Sequence, residues 1–195
     1  MSDMAAPIAE PRTRPISVDE YHRMADAGIF GPTERVELLN GRIIEMPPQN
    51  PPHAHSVGTT MMIFVRQFGD RVLVRSQLPL ELDLYSEPQP DLALLRRADY
   101  SGAHPTAADV LLVVEVSDTS IRFDRGRKPA AYATAGIAEY WIVDVQRRVV
   151  EAYADPTDGR FGTTRTVPDG ESIACRAFPD EPIAVADMLP TRRPM

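Results

Sequence analysis

The alternation of hydrophobic and polar positions divides the N-terminal part of the chain into helical and extended segments. Ser17 followed by Glu20 forms a capping-box pattern and Gly28 is a stop signal, so a short helix is predicted between them. In the run RVELLNGRIIEM, two strand-like segments meet at Asn40 and Gly41, a residue pair typical of tight hairpins. The prolines of PPQNPP predict a loop after this hairpin.

The middle of the chain combines both periodicities. Apolar positions within residues 55–68 suit a helix packed on a sheet, and the segments RVLVRSQLPLELDL and DLALL are typical of strands. The apolar run at residues 110–116 predicts a strand buried on both faces. A helix is expected over residues 124–135, ended by Gly136, and IAEYWIVDV predicts the next strand.

The last part of the chain contains shorter strand-like pieces, RVVEAYA, FGTTRTV and ESIAC, separated by turn residues. This order of elements predicts an α/β (α+β) sheet covered by helices, with a β-rich C-terminal extension. Residues 1–15 contain three prolines and no periodicity, which predicts a flexible arm. Residues 16–195 have the length of a single domain.

Composition favours a soluble globular protein, with 43% hydrophobic and 25% charged residues. No segment approaches the roughly 18 consecutive apolar residues of a membrane span, and the N-terminus lacks an apolar signal region. Cys175 is the only cysteine, so an intramolecular disulfide is excluded. We therefore expect a cytoplasmic protein without a membrane partner.

The net charge of −7 argues against an extended surface for nucleic acid, although the segment IRFDRGRKP is locally basic. Lys128 lies in that segment and is the only lysine among 21 basic residues. Arginine cannot replace lysine where a compact amine is needed, because its guanidinium is planar and always charged.

Two acids lie at strand ends: Asp91 opens the DLALL strand, and Glu115 lies near the end of the apolar strand. If these strands are neighbours, the carboxylates converge, and a divalent cation such as Mg²⁺ would compensate their charge. Each residue alone has an ordinary explanation: Asp91 as a surface acid, Glu115 as the partner of an arginine such as Arg122, and Lys128 as a solvated helix residue. Their conjunction favours a site.

These residues carry a resemblance to a known family. PD at Pro90 and Asp91, with EVS starting at Glu115, matches the PD-(D/E)XK nuclease pattern except that Ser117 replaces the lysine. Over about residues 17–145, the ordered set of segments resembles the Uma-two family of restriction-endonuclease-like proteins; its members are ERVELLNGRIIEM, PPHAHS, QPDLALL, VLLVVEVSDTS and DRGRKPAAYATAGIAEYWIVDV. The resemblance implies a restriction-endonuclease-like mixed central sheet flanked by helices.

It also implies that the catalytic amine has moved to the following helix, where Lys128 is the available lysine. Asp91 and Glu115 are then expected to bind Mg²⁺ or Mn²⁺, with the Val116 carbonyl as a third ligand, and Glu37 matches an acid of the family's first segment. Glu37 also fits a solvent-facing strand position.

Four further residues are weaker candidates for substrate binding. His55 matches a family position and would contact a phosphate or cap its helix. Tyr132 shares a helix face with Lys128 and would hold the amine or pack on the sheet. Arg125 and Arg127 belong to the basic segment.

We therefore expect a Mg²⁺-dependent endonuclease acting on DNA through an activated water. Two alternatives remain open: a non-catalytic binding module that keeps the nuclease fold, which Ser117 and the acidic net charge favour, and a hydrolase of a small phosphorylated molecule. A homodimer would allow one cut in each strand of a duplex.

Overall fold

The computed structural model describes residues 13–118 and 121–192. Most of the predicted N-terminal arm, residues 1–12, lies outside this range. The elements are α1 (Val18–Asp26), β1 (Val36–Leu39), β2 (Arg42–Glu45), α2 (Pro51–Phe68), β3 (Val72–Arg75), β4 (Leu92–Arg96), β5 (Val110–Ser117), α3 (Ile121–Gly126), α4 (Lys128–Thr134), β6 (Glu139–Asp144), β7 (Val149–Thr157), β8 (Arg160–Pro168), β9 (Ser172–Ile173) and β10 (Ile183–Ala184). None of the helices described is long and apolar enough to cross a membrane.

A six-stranded mixed sheet organises the molecule, in the order β3-β4-β5-β6-β7-β8. Strands β5 and β6 are parallel, because α3 and α4 connect them, and the other neighbours are antiparallel. The predicted fold class is confirmed, and β7 and β8 continue the central sheet.

Helices cover both faces of this sheet. Phe64 and Phe68 of α2 pack with Val114, Trp141 and the C-terminal segment on one face. Tyr132 of α4 packs on the other face, in a second cluster with alternate residues of the same strands. β5 is buried along almost its whole length, as its apolar run predicts.

Local signals account for the N-terminal unit. The Ser17–Glu20 capping box is present at the start of α1. Asn40 and Gly41 both have positive φ angles, +51° and +69°, as a tight hairpin between β1 and β2 requires. Tyr21 donates a hydrogen bond to the Val36 carbonyl, which holds α1 against the hairpin.

Two predictions about helices are wrong. PPQNPP is not a loop throughout, because Pro51 and Pro52 form the first turn of α2, where a missing amide hydrogen costs nothing, and Asn50 caps that turn. The single helix expected over residues 124–135 is two short helices interrupted at Arg127. Pro129 cannot donate to the carbonyl four residues earlier, so the helix breaks there.

Candidate functional site

The register of the two central antiparallel strands brings Asp91 and Glu115 together. Ala93 of β4 pairs with Val113 of β5, and both belong to the cluster beneath α4. Side chains alternate along a strand, so the position two before Ala93 and the position two after Val113 lie opposite each other on that same face. These positions are Asp91 and Glu115. The Asp91 amide donates a long hydrogen bond of 3.4 Å to Glu115 Oε2.

Lys128, at the start of α4, lies against the Glu115 carboxylate of this pair. Its ammonium donates a 2.8 Å hydrogen bond to Glu115 Oε1 and lies 3.4 Å from Glu37 Oε1. Its side chain is only 6% exposed, so the charge is removed from water and depends on these carboxylates. Ser117, where the superfamily pattern has lysine, is buried, and its carbonyl accepts from the Val145 amide.

Glu37 enters the cluster from the β1–β2 hairpin. Val36 and Leu38 pack on α1, so the intervening Glu37 points to the opposite side of the strand. Its Oε2 accepts a 3.0 Å hydrogen bond from the Gln89 amide, and its residue exposure is 1%. It is therefore a buried partner of Lys128 and not a solvent-facing strand residue.

Asp91 is held by several donors. The Val116 amide donates to its Oδ2 at 2.8 Å, His53 Nε2 lies 3.0 Å from the same oxygen, and the Gln77 side chain donates to Oδ1 at 3.1 Å. Burial opposes ionisation, but the hydrogen bonds from His53 and Val116 and the nearby positive charges lower the pKa of Asp91 below its usual value. Asp91 is therefore ionised at neutral pH.

The pKa values of Glu115 and Lys128 are both displaced upward. Burial raises the pKa of Glu115 to about 8; Lys128 opposes this effect, and the charges of Asp91 and Asp124 reinforce it. Burial acts in the opposite direction on Lys128, but the charges of Glu115 and Glu37 outweigh it and raise the pKa of its ammonium. Burial is therefore the main cause of the Glu115 shift, and the surrounding negative charge is the cause of the Lys128 shift. The cluster therefore favours an additional positive charge.

Tyr132 lies one turn after Lys128 on α4 and contacts the same acid. Its hydroxyl donates a 2.8 Å hydrogen bond to Glu115 Oε1. Burial and the nearby carboxylates raise the pKa of Tyr132 well above its usual value, so it stays a donor. Tyr132 therefore orients the Glu115 carboxylate from the side of α4.

The cluster opens into a cleft with a volume of about 330 Å³. Its charged lining consists mainly of carboxylates, and half-buried apolar side chains form part of its wall. The charged and histidine side chains of the lining are Arg35, Glu37, Glu45, His53, Asp91, Glu115, Asp124 and Lys128.

The weaker candidates are not all part of this cleft. His55 is exposed on α2 and is not among the lining residues, whereas His53 contacts Asp91. Arg125 points to β6 and β7, where it donates to Glu151 and Asp144. Arg127 is exposed.

Several lining residues are not among the candidates that the sequence provides. His53 is not among the site residues that the sequence predicts, and the start of α2 at Pro51 places it beside Asp91. Asp124, buried at 3% exposure, is an acid within a segment whose sequence is basic overall. Gln89 carries no signal of its own, since it contributes through its backbone amide to Glu37.

The carboxylate oxygens of the cluster suit a hard cation that retains several bound water molecules. Within residues 13–118 and 121–192, no three His, Cys, Asp or Glu side chains form a ready-made metal site. Mg²⁺, however, is usually held by one or two carboxylates with several waters. Asp91 and Glu115 provide two carboxylates, and Glu115 Oε2 accepts only the long contact from the Asp91 amide among the hydrogen bonds described here. The residues present therefore fit such an ion.

The protein is therefore of the mixed α/β class, with an acidic cluster at one edge of two central strands of its sheet. The chain belongs to the Uma2 family, whose model, described as "Putative restriction endonuclease", matches residues 18–186.

A solved structure from Anabaena variabilis, described as "a putative nuclease belonging to DUF820", is similar to this chain with a TM-score of 0.69 and 13% identity. The match covers 89% of this chain and 97% of that one. At this identity the likeness concerns the fold. A search of curated proteins finds no significant match.

Proposed function

We propose that this protein is a metal-dependent endonuclease that hydrolyses phosphodiester bonds of DNA. One observation carries the proposal: Asp91, Glu115 and Lys128 meet in one cleft, although they come from three separate elements. Family membership supports a nuclease-like activity. The acid cluster and its single ammonium support the more specific proposal that the reaction is assisted by a metal ion.

Asp91 and Glu115 would hold Mg²⁺ or Mn²⁺. The Val116 amide points at Asp91, and the amide and carbonyl of one strand residue point to the same side, which supports the Val116 carbonyl as a third ligand. A bound Mg²⁺ would supply Lewis-acid activation of the phosphate and would lower the pKa of a bound water.

The protein's own groups would position the reactants and offset charge. Lys128 would orient the attacking water and stabilise the extra negative charge on the phosphate in the transition state. Tyr132 would keep Glu115 in place, and His53 would do the same for Asp91. Glu37 would fix the ammonium as an auxiliary acid.

Plasmid nicking in Mg²⁺ or Mn²⁺ tests this proposal. We expect wild type to nick, and Asp91→Asn and Lys128→Ala to lose most of the activity. Asp70→Asn is a matched control, because it makes the same chemical change at a fully exposed carboxylate outside the cleft. Wild-type protein that binds DNA but never cleaves it under either ion would favour the binding-module alternative.

A further inference from the structure

The cleft combines its acidic floor with an apolar wall. Ile44 and Met46 come from the hairpin side and Phe123 from α3, and all three are half-buried. Metal binding and proton transfer do not require these groups. Aromatic and aliphatic walls in a ligand cleft are instead suited to the flat apolar face of an organic group.

Phe123 lies next to the proposed catalytic amine. The Lys128 ammonium lies over the Phe123 ring, 5.8 Å from its centroid, so the ring lies beside the charged cluster. Aromatic side chains bind unpaired bases by stacking, whatever the sequence, because every base has a π-face. One nucleotide in the cleft can therefore place its base against the Phe123 ring and its phosphate near the Lys128 ammonium.

The depth of the cluster restricts which nucleic acid can reach it. Glu115 is 3% exposed and Lys128 is 5% exposed, so a phosphate must enter the cleft to meet them. A volume of about 330 Å³ is at the small end of ligand sites, enough for about one nucleotide. A phosphate in a duplex is attached to stacked pairs, and a strand must leave that stack before one of its nucleotides can enter such a pocket.

The charge of the whole protein also favours an unpaired strand over a duplex. With a net charge of −7, the chain has no overall attraction for the dense phosphate charge of a duplex. Stacking on an aromatic ring would supply affinity that does not depend on that attraction.

We propose that the cleft takes an unpaired nucleotide of a single-stranded or locally melted DNA, with its base stacked on Phe123. This inference rests on the proposed nuclease function and adds the class of substrate.

The test compares three DNAs of one sequence: the single strand, the paired duplex, and the duplex with an internal stretch of mismatches. Binding is measured by fluorescence anisotropy with Ca²⁺ in place of Mg²⁺, and cleavage is measured with Mg²⁺. We expect the single strand and the mismatched duplex to bind at least about tenfold more tightly than the paired duplex. A 2-aminopurine base in the single strand should lose fluorescence on binding, because it stacks.

Phe123→Leu keeps an apolar side chain but removes the ring, and we expect it to weaken single-strand binding by about tenfold. Phe123→Trp should keep the binding. Phe178→Leu is the matched control, since it makes the same change at a half-buried phenylalanine that packs on Phe68 away from the cleft. Melting temperatures of all variants separate loss of the ring from loss of the fold.

Cleavage of the paired duplex as fast as the single strand would overturn this inference and leave the nuclease function intact. Single-strand binding unchanged in Phe123→Leu would also overturn it. Hydrolysis of a small nucleotide diester with no cleavage of any DNA would instead contradict the proposed function, and the inference would fail with it.

Discussion

The Lys128 ammonium donates a 2.8 Å hydrogen bond to Glu115 Oε1, so the only lysine of the chain lies against the acid at the end of its central strand. Lys128 follows Glu115 by 13 residues and lies on a helix. In the superfamily pattern, by contrast, the lysine follows the acid by two residues. The amine of this chain therefore comes from α4 and not from the strand that carries the acid. The placement of these two groups leads to the first three predictions.

Lys128→Arg should reduce the rate of DNA cleavage by about 10²–10³-fold, although the positive charge is retained. The guanidinium is bulkier, hydrogen-bonds with a different geometry, and must fit where the lysine side chain is only 6% exposed. The measurement is the nicking rate and the DNA affinity at one salt concentration. DNA affinity should change far less than rate, because one phosphate contact among several contributes little.

Arg127→Lys, at the exposed neighbouring position, is the control for Lys128→Arg and should cleave like wild type. If Lys128→Arg is equally active, the single lysine has no catalytic role.

Glu115→Gln should gain stability relative to wild type as the pH rises. The pKa of Glu115 is raised to about 8 in the folded protein, so folded wild type keeps a proton that the unfolded chain releases above about 4.5. This contribution to stability is complete below the unfolded pKa and is lost as the pH rises through about 8, at up to about 1.4 kcal/mol per pH unit. Glutamine does not titrate and avoids this loss.

The measurement is urea unfolding of both proteins without metal, from about pH 5 to pH 9. Glu45→Gln makes the same chemical change at an exposed acid at the edge of the same cleft and is the control. A stability difference between Glu115→Gln and wild type that is the same at every pH would mean that Glu115 ionises normally.

Mn²⁺ affinity should increase with pH by about tenfold per unit up to about pH 8. A carboxyl group must lose its proton to bind a metal, and Glu115 holds its proton up to that pH. Isothermal titration calorimetry in two buffers with different ionisation enthalpies measures both the affinity and the protons released.

Mn²⁺ should also raise the melting temperature of wild type by mass action, and much less that of Glu115→Gln. An equal rise in both proteins would show that the ion binds away from Glu115.

Arg125→Ala should destabilise the fold by about 1–2 kcal/mol, with little direct effect on DNA contacts. Arg125 Nε donates to Glu151 Oε2 at 2.8 Å, and Tyr153 donates to the same oxygen, which ties α3 to β7. Urea unfolding and single-strand affinity are the two measurements.

Arg127→Ala is the comparison for Arg125→Ala, since both side chains are exposed on the same segment but, of the two, only Arg125 pairs with Asp144 and Glu151. It should leave the free energy of unfolding nearly unchanged. If Arg125→Ala lowers DNA affinity without lowering stability, Arg125 has the substrate-binding role that the sequence predicts for it.

Local chemistry made part of the fold predictable. The capping box at Ser17 and the hairpin at Asn40 depend on neighbouring residues only, and both are confirmed. The same reasoning failed at Pro51, because prolines end a helix but also begin one, and only the cap at Asn50 decides between these roles. It failed again at Pro129, which interrupts a helix that periodicity alone would continue.

By itself the sequence determined the types of groups available for chemistry: two acids at strand ends and one lysine. The tertiary structure decided which of them meet, because the pairing of Ala93 with Val113 sets Asp91 opposite Glu115, and a shift of one residue would put one of the two acids on the other face of the sheet. It also put His53, and not His55, beside Asp91, since a change of two positions on a helix turns the side chain to a different face. The sequence carries neither the register nor the helix orientation in any local signal, because both depend on how distant segments pack.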